Sequence, residues 1–344
     1  MNTKWNKDVE KRILRKSRFT LTFRILRILI AALILFAIYT SFLDAYGNTA
    51  KSFKKAHFYN ELVIEWTNPN VRSVMAMPTW EVNLFGVGEV SYPLFKRVGM
   101  ETIPVGEAKV TKSILPFLSK QEIQFDGKRE YDPQEFLFYY GKHPKTGEEL
   151  APSGSPSSWQ VLSMLPEGTV GEMAVSLEEM MSPEELVNKL ADYDLGITWM
   201  ALYTGEYQEG SSVQETSMEW GDGSQILTPP IPLGLTPPYE MEEDFMGSSF
   251  VSMLRATNAP TVIDAQRAMV ENMEKVLAES VSYQEDYLGL YDLQERYDYI
   301  QENGFITFGA VVTGPVKELR KLQDEEGIHS PILGEVELWN WNNE

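Results

Sequence analysis

The sequence predicts an α+β protein that carries a single transmembrane helix near its N-terminus. Two observations support this fold class: strand-like and helical segments alternate through the second half of the chain, and residues 28–43 form an uncharged apolar run. The chain has 344 residues, of which 43% are hydrophobic and 23% are charged, so it is long enough for about two folded domains. We expect a β-rich domain after the helix and then an α+β sandwich, for which a ferredoxin-like arrangement is one candidate.

The apolar run is long enough to cross a bilayer when residues 25–43 are counted together. At about 1.5 Å per residue such a helix spans about 28 Å, which is close to the hydrocarbon core of about 30 Å. Residues 1–27 contain nine lysines and arginines but only two acidic residues. The positive-inside rule therefore predicts a cytoplasmic segment at 1–24, with Arg24 and Arg27 fixing the topology, and places the chain beyond the helix outside the cell.

Two alternatives to a permanent anchor stay open. The small residues of Ala45-Tyr46-Gly47 would suit cleavage of a secretory signal peptide, and a buried helix of a soluble protein would also be apolar. The anchor is favoured because the basic segment is long for a signal peptide and because the apolar run exceeds the usual length of about 7–15 residues. Membrane lipids are therefore the first predicted partner.

The charge and the cysteine content exclude several classes of site. The net charge is −20 although the first 27 residues are basic, so the part beyond the helix is strongly acidic and unsuited to nucleic acid. The chain contains no cysteine, which removes disulfides, thiolate metal sites and cysteine nucleophiles. A zinc site would depend on carboxylates and on the three histidines, His57, His143 and His329. We predict neither a metal nor a cofactor.

Residues 44–150 are predicted to form the β-rich domain. Residues 50–62 have a moderately helical composition, Asn68-Pro69-Asn70 indicates a turn, and the alternation of residues 80–84 indicates a strand. The next segment, 151–158, consists of eight small or turn-forming residues and predicts a linker or an exposed loop.

The α+β sandwich domain is predicted at 159–344, and it opens with a β-α-β unit. Residues 172–177 alternate like a strand, and Ser182-Pro183-Glu184-Glu185 has the pattern of a helix capping box. The helix is predicted to end near Asp192 and to be followed by a buried strand at 197–204. The two strands of such a unit are normally parallel.

The rest of this domain is predicted from turn and capping signals. A long surface insertion is expected at 205–260, because this segment lacks periodicity and contains proline-rich stretches. Two helices, a strand, a further helix with Pro315 as its first residue, and a last strand are then expected. These elements are predicted, in that order, at 261–280, 287–303 with Gly304 as the C-cap, 306–312, 315–322 and 336–341.

No complete catalytic motif is present in the sequence. Ser52-Phe53-Lys54-Lys55 and Lys145-Thr146-Gly147 match two of the three elements of penicillin-recognising enzymes, but the third is missing and Ser52 lies only nine residues beyond the apolar run. The nucleophile, zinc and phosphate-binding motifs of common enzymes are missing as well. We therefore predict no catalytic residue and no enzymatic activity.

Two segments resemble the C-terminal domain of the sigma-factor regulator family. One is the run GFITFGAVVTGPVKELRKL at 304–322, and the other contains SPEEL and ITWMALYTG within 172–205. Residues 10–41, together with WTNPNV at 66–71 and KRVG at 96–99, resemble the N-terminal region of the same family. The positions that carry the C-terminal resemblance, all interpreted as structural, are Trp199, Thr204, Gly205, Gly309, Thr313, Gly314, Pro315, Glu318 and Leu319.

The resemblance implies a single-pass membrane sensor that regulates an extracytoplasmic-function sigma factor in a Gram-positive bacterium. Its implied partners are a sigma factor or a companion anti-sigma protein, with an envelope ligand on the outer side. Anti-sigma members of the family have a folded cytoplasmic region, whereas 27 residues precede the span here. Either that region is absent or the start lies elsewhere. A non-catalytic surface binding module is the first alternative function, and an enzyme acting on envelope polymers is the second.

Overall fold

A computed structural model describes residues 7–49, 51–73, 80–113, 119–126, 136–150, 157–205, 216–219, 225–228, 232–237 and 259–338. The helices are α1 (Lys7–Thr49), α2 (Lys51–Thr67), α3 (Ser157–Met164), α4 (Pro183–Lys189), α5 (Ala259–Leu277), α6 (Leu293–Asn303) and α7 (Val316–Lys321). The strands are β1 (Val71–Ser73), β2 (Glu81–Val82), β3 (Val87–Val98), β4 (Glu101–Ser113), β5 (Lys120–Phe125), β6 (Thr169–Met181), β7 (Gly196–Leu202), β8 (Thr216–Glu219), β9 (Gln225–Thr228), β10 (Leu233–Leu235), β11 (Thr307–Pro315) and β12 (Ile328–Leu338). This mixture of helix and sheet confirms the predicted α+β class.

The N-terminal apolar run lies inside one continuous helix, α1. Its segment Glu10–Leu43 is long and apolar enough to cross a membrane. Large apolar side chains between Ile28 and Phe42 are exposed on every side of the helix, whereas Leu43 is buried. Exposing such side chains to water is unfavourable, whereas the hydrocarbon core of a bilayer surrounds them with apolar groups. The helix therefore has the properties expected of a membrane span. The helix extends beyond the predicted bounds of 25–43 at both ends.

The first sheet is antiparallel and is built around a long hairpin of β3 and β4. The strand order is β1-β3-β4-β5, and β2 also pairs with β3. Val87 lies opposite Ser113 at one end of the hairpin, and Val98 lies opposite Glu101 at the other. The strand predicted at 80–84 is reduced to the two residues of β2, because the chain enters a turn at Asn83.

The second sheet has the order β10-β7-β11-β6-β12, and every neighbouring pair is antiparallel. Strands β6 and β7 therefore run parallel to each other, as the β-α-β prediction requires, but β11 lies between them. The predicted capping box is present at the start of α4, where Ser182 and Glu185 bond to each other's backbone N–H groups. The helix ends at Lys189, three residues before the predicted end at Asp192.

The helix predicted at 287–303 is wrong at its start, since α6 begins only at Leu293. A π-helical turn, Tyr283–Tyr287, precedes it, and the chain then leaves the helical conformation at Gly289 and Asp292, whose φ angles are 69° and 53°. Gly304 ends α6 with φ 76°, as its predicted C-cap role requires.

Two further element boundaries also differ from the sequence prediction. Pro315 is the last residue of β11 and the N-cap of α7, not the first helical residue. Beyond α7 the chain makes a 3-10 turn, Leu322–Asp324, and β12 starts at Ile328 instead of 336. The end of that predicted strand, 339–341, lies outside the described residues.

The predicted linker and surface insertion are each partly structured. Ser157 and Ser158 of the linker belong to α3, and residues 151–156 lie outside the described part of the chain. Within 205–260, strands β8 and β9 pair with each other, while β10 joins the edge of the second sheet. Leu233 and Leu235 of β10 are buried in the core, so this part of the insertion is not a surface segment.

Within the described part of the chain, three hydrophobic clusters hold the sheets and helices together. The largest lies between one face of the second sheet and helices α2, α4, α5 and α7. A second cluster fills the first sheet and includes Ile64 of α2, so α2 packs against both sheets. The third covers the opposite face of the second sheet, where aromatic residues of segment 136–140 pack on Trp199 and Phe308.

Candidate functional site

The two sheets meet at the turn between β3 and β4. The Gly99 N–H donates a hydrogen bond to the Thr313 hydroxyl at 2.6 Å, and this hydroxyl donates to the carbonyl oxygen of Gly171 at 2.8 Å. One buried side chain of β11 thus connects β6 with the hairpin turn of the first sheet. Gly99 has φ 62°, and a Cβ atom there would lie 2.8 Å from Cβ of Val170, so only glycine fits.

A buried ion pair lies beside this turn. Nζ of Lys96 is 2.7 Å from Oε1 of Glu172, and both side chains are completely buried. Nδ2 of Asn70 donates to Oε2 of Glu172 at 2.5 Å, and the N–H of Glu335 donates to Oε1 at 3.3 Å. Lys96 also lies 4.7 Å from the centre of the Phe136 ring. A buried ion pair is tolerated when further polar groups satisfy it, as they do here.

Asn70 connects the two sequence segments, 66–71 and 96–99, that resemble the family's N-terminal region. It adopts the left-handed conformation with φ 59°, which asparagine tolerates better than most residues. Its Nδ2 atom also donates to the carbonyl oxygen of Arg97 at 2.9 Å, and Val71 pairs with Lys96 across β1 and β3. We call the residues whose hydrogen bonds and ion pair join the two sheets the junction cluster. Its members are Asn70, Lys96, Gly99, Glu172 and Thr313.

Among the members of the junction cluster, only Thr313 is a predicted site position, and it is one through the family resemblance. Asn70 lies in the predicted turn, and the other members lie within segments that resemble the family but carry no predicted role. Lys96 and Glu172 each follow or precede apolar residues of their strands, and a charge that is buried in such surroundings is usually paired. The sequence separation of the two residues hides the fact that they pair.

A pocket of about 360 Å³ lies between α2, α5 and the end of β10. Phe58, Trp66 and Met269 give it apolar walls, and two carboxylates of α2, Glu61 and Glu65, lie at its inner side. The pocket therefore combines an apolar surface with a pair of acidic groups one helical turn apart.

Burial raises the pKa of Glu61 and that of Glu65 to about 7. The Ser73 hydroxyl donates to Oε1 of Glu61 at 2.5 Å and opposes the shift, while the nearby Arg72 charge opposes it at Glu65. Nη2 of Arg72 donates to the carbonyl oxygen of Pro237 at 2.8 Å, and burial lowers the pKa of the Arg72 guanidinium. Both carboxyl groups can therefore change protonation state near neutral pH.

Other titratable groups surround this carboxylate pair. Nε2 of His57 lies 3.4 Å from Oε1 of Glu61, and the buried Tyr92 side chain is close enough for both carboxylates to raise the pKa of its phenol further. Lys275 and Glu271 of α5 lie on the pocket lining. Among the described residues, no group of three or more histidines and carboxylates has a geometry that could hold a metal ion.

Trp199 contacts the backbone of Glu65, which lines the pocket. Its indole N–H donates to the carbonyl oxygen of Glu65 at 3.0 Å, and its ring stacks on Phe138 at 5.3 Å between ring centres. On the strand next to it, a Cβ atom at Gly234 would lie 1.8 Å from the Trp199 ring. Trp199 therefore connects α2, the second sheet and segment 136–140.

The other predicted C-terminal positions lie in turns and in the core, away from the pocket. Thr204 is buried after β7, and Gly205 follows it with φ 81° beside the ring of Tyr299. Gly309 packs against Phe138, while Gly314 packs against the carbonyl oxygen of Asp194. Each of these glycines stands where a Cβ atom would collide with a neighbour.

The last three predicted positions form the start of α7. Pro315 caps the helix, and Leu319 is buried in the largest cluster. Glu318 accepts a hydrogen bond from Lys321 at 2.8 Å, and this contact holds the pKa of Glu318 below its usual range. Their contacts are those of structural residues.

The two predicted topology residues, Arg24 and Arg27, lie exposed on α1. They share one face of the helix with Lys16, Phe19 and Phe23. The rings of Phe19 and Phe23 stack with 6.0 Å between their centres. This face precedes the uncharged run and is basic and aromatic.

Family models match both parts of the chain. Residues 162–335 match the model described as sigma factor regulator C-terminal, and residues 11–103 match the one described as sigma factor regulator N-terminal. The chain belongs to the sigma factor regulator family. Asn70, Lys96 and Gly99 of the junction cluster lie in the region 11–103, and Glu172 and Thr313 lie in the region 162–335. The cluster therefore joins the two regions that match the family models.

The chain is also similar to a protein of Bacillus subtilis. It is 29% identical over 284 residues to the "Probable anti-sigma-M factor YhdL" of Bacillus subtilis (strain 168), an alignment that covers 81% of this chain and 68% of the relative. No solved structure matches the chain.

Proposed function

We propose that this protein is a membrane-anchored, non-catalytic sensor that regulates a sigma factor of a Gram-positive bacterium. The observation that carries the proposal is that a chain matching both sigma factor regulator models also has a helix able to span a membrane. The similarity to a probable anti-sigma factor of Bacillus subtilis supports the direction of regulation, which is inhibition.

The proposed orientation has the N-terminus in the cytoplasm and residues 44–344 outside. Its support is the concentration of lysine and arginine before the apolar run, including Arg24 and Arg27. In this orientation the basic and aromatic face of α1 lies on the side where a sigma factor is found. A sigma factor, or a companion anti-sigma protein, is therefore the proposed partner of residues 1–27.

The external part is proposed to act as a sensor through the pocket and the junction cluster. The pocket between α2 and α5 is the proposed site for an envelope ligand, and α2 follows directly on the membrane helix. The junction cluster couples the two sheets, since its buried ion pair and its hydrogen bonds cannot break singly without cost. Binding in the pocket would thus act on the helix that continues toward the membrane.

We also propose that the second sheet has a ferredoxin-like arrangement within a domain at 159–344. In support, β6 and β7 flank β11 as a split β-α-β unit does, and α4 and α7 each follow one of the central strands. Strand β10 would then be an added edge strand. The β-rich domain at 44–150 is proposed to precede it.

A transcription experiment tests the regulatory proposal. Deleting the gene is expected to raise transcripts that depend on one extracytoplasmic-function sigma factor, and the full chain supplied in trans is expected to lower them again. A chain that lacks residues 1–23 but retains Arg24, Arg27 and the apolar run keeps the basic residues next to the span, and it is expected to fail in this complementation. An unchanged transcript profile in the deletion strain would reject regulation and leave a surface binding module, which the pocket favours as the second candidate.

A further inference from the structure

The turn between β2 and β3 has an exposed apolar tip. Phe85 is 87% exposed and its neighbour Leu84 is 48% exposed. Two adjacent large apolar side chains at the end of a hairpin are costly to leave in water, since the free energy gained on burial grows with the apolar area removed from water. The tip is thus suited to contact an apolar surface outside the protein.

The tip is held rigidly by its own hydrogen bonds. Oδ1 of Asn83 accepts the N–H groups of Phe85 and Val87 at 2.9 and 3.1 Å, and the Gly86 N–H donates to the carbonyl oxygen of Asn83 at 3.0 Å. Gly86 has φ 73°, the left-handed conformation that closes such a turn. The apolar side chains are therefore presented in a fixed direction before they meet any partner.

The tip lies against the membrane helix. The Tyr39 hydroxyl donates to the carbonyl oxygen of Leu84 at 2.7 Å. Tyr39 is four residues before Leu43, the end of the candidate span, and four helical residues correspond to about 6 Å. Around it on α1, Leu35, Phe36 and Phe42 expose more than half of their side-chain surface. The apolar surface of the helix is thus continuous with that of the tip.

We propose that Leu84 and Phe85 enter the outer leaflet beside α1, so that the β2–β3 turn is a second contact of this protein with the lipid bilayer. The proposal rests on the proposed function in two respects, namely that α1 spans the membrane and that residues 44–344 lie outside. Lipid is the occupant because the tip touches α1 at a span residue that itself faces outward, and because tyrosine and phenylalanine suit the boundary between headgroups and acyl chains.

Such a contact fixes the direction of the long hairpin relative to the membrane. Strand β3 has 12 residues, and at about 3.3 Å per residue it covers about 40 Å from the tip to the junction cluster. A change in the packing of the outer leaflet would therefore tilt the hairpin and act on the point where the sheets join.

Spin labelling at single cysteines tests this contact, since the natural chain contains no cysteine. The full chain is reconstituted in vesicles of phosphatidylcholine and phosphatidylglycerol as Phe85→Cys, Leu33→Cys and Met100→Cys, each carrying a nitroxide. Leu33 lies within the apolar run, and Met100 is 66% exposed at the far end of the hairpin, so they provide the membrane control and the aqueous control. Collision rates with oxygen, which enriches in lipid, are compared with those of a water-soluble nickel chelate.

The expected result is that the label at position 85 collides more often with oxygen and less often with the nickel chelate than the label at position 100 does. Its two collision rates should approach those of the label at position 33. A label at 85 that matches position 100, while 33 stays oxygen-accessible, overturns the inference and leaves the anchor intact. Nickel access at 33 overturns the anchor itself. Reduced collisions with both reagents at 85 would mean that a second protein chain covers the tip, and would also overturn the inference.

Discussion

Nζ of Lys96 and Oε1 of Glu172 lie 2.7 Å apart with no exposed surface on either side chain, and they belong to different sheets. The pair therefore joins the first sheet, which follows α1 and α2 in the chain, to the C-terminal sheet. Its environment, with Asn70 on the carboxylate and Phe136 beside the ammonium group, holds both charges away from water.

Replacing Glu172 by glutamine removes the anion that compensates the buried Lys96 charge. We expect Glu172→Gln to lower the free energy of unfolding by about 3–5 kcal/mol, the usual cost of breaking a buried pair on one side. Urea unfolding of the full chain in detergent micelles, followed by circular dichroism, measures this change.

The double variant Lys96→Met with Glu172→Met is the control for this effect. It removes both charges and is expected to be more stable than Glu172→Gln alone, because no uncompensated ion is left in the core. A loss below about 1 kcal/mol in the single variant would show that the pair does not hold the sheets together.

The Thr313 hydroxyl is expected to stabilise the folded protein through the hydrogen bond that it accepts from the Gly99 N–H. Thr313→Val has nearly the same shape but leaves this buried N–H and the Gly171 carbonyl oxygen without the hydroxyl, at a cost of about 1–3 kcal/mol. Thr313→Ser keeps the hydroxyl and is expected to lie closer to the natural protein. Equal stabilities of the valine and serine variants, measured by urea unfolding, would contradict this assignment.

Gly234 is expected to be required by the Trp199 ring that lies on it. An added methyl group would fall 1.8 Å from the ring, so Gly234→Ala must displace Trp199 and is expected to cost about 1–3 kcal/mol or more. Gly168→Ala is the matched control, since a Cβ atom there has no neighbour within 4 Å. Thermal unfolding of the two variants should separate them clearly, and similar midpoints would refute the close approach.

The carboxyl group of Glu61 is expected to make stability depend on pH. Its pKa is raised from 4.5 to about 7 on folding, so the folded state holds this proton more tightly than the unfolded state. The contribution of this proton to the free energy of unfolding is fully present below about pH 4.5, and it is lost as the pH rises through about 7. Since a shift of one pKa unit corresponds to about 1.4 kcal/mol, the loss is about 3 kcal/mol.

Glu61→Gln removes this dependence while it keeps an acceptor for the Ser73 hydroxyl. The variant is expected to match the natural protein near pH 4 and to exceed its stability at pH 8, as followed by thermal unfolding at both pH values. Glu302→Gln, at an exposed position of α6, is the matched control for the exchange of glutamate for glutamine. A Glu61→Gln profile parallel to that of the natural protein would place the titrating group elsewhere.

Local signals in the sequence predicted local structure well. The capping box at Ser182 and Glu185, the turn at 68–70 and the C-cap at Gly304 each depend on residues within one turn of the chain, and all three are present. The start of α6 was missed because Asp292 adopts a left-handed conformation that its residue type permits but does not require.

The candidate site could not be predicted in the same way, because it is built from distant residues. Asn70 and Glu172 are 102 positions apart, and Gly99 and Thr313 are 214 apart. Strands β3 and β6 each carry several charged residues, so the sequence does not mark Lys96 and Glu172 as the buried pair, which only the packing of the sheets brings together. Strand β11 likewise lies between β6 and β7 because it pairs with residues more than 100 positions away, and no local sequence pattern predicts that pairing.

Cross-linking and purification from native membranes test regulation of a sigma factor most directly. The full chain carries a C-terminal tag, and every protein that purifies with it is identified by mass spectrometry. We expect a sigma factor or a companion anti-sigma protein, which disappears when residues 1–23 are deleted but Arg24, Arg27 and the span are kept. Recovery of envelope enzymes or wall material alone, with sigma-dependent transcription unchanged in the deletion strain, would contradict regulation of a sigma factor.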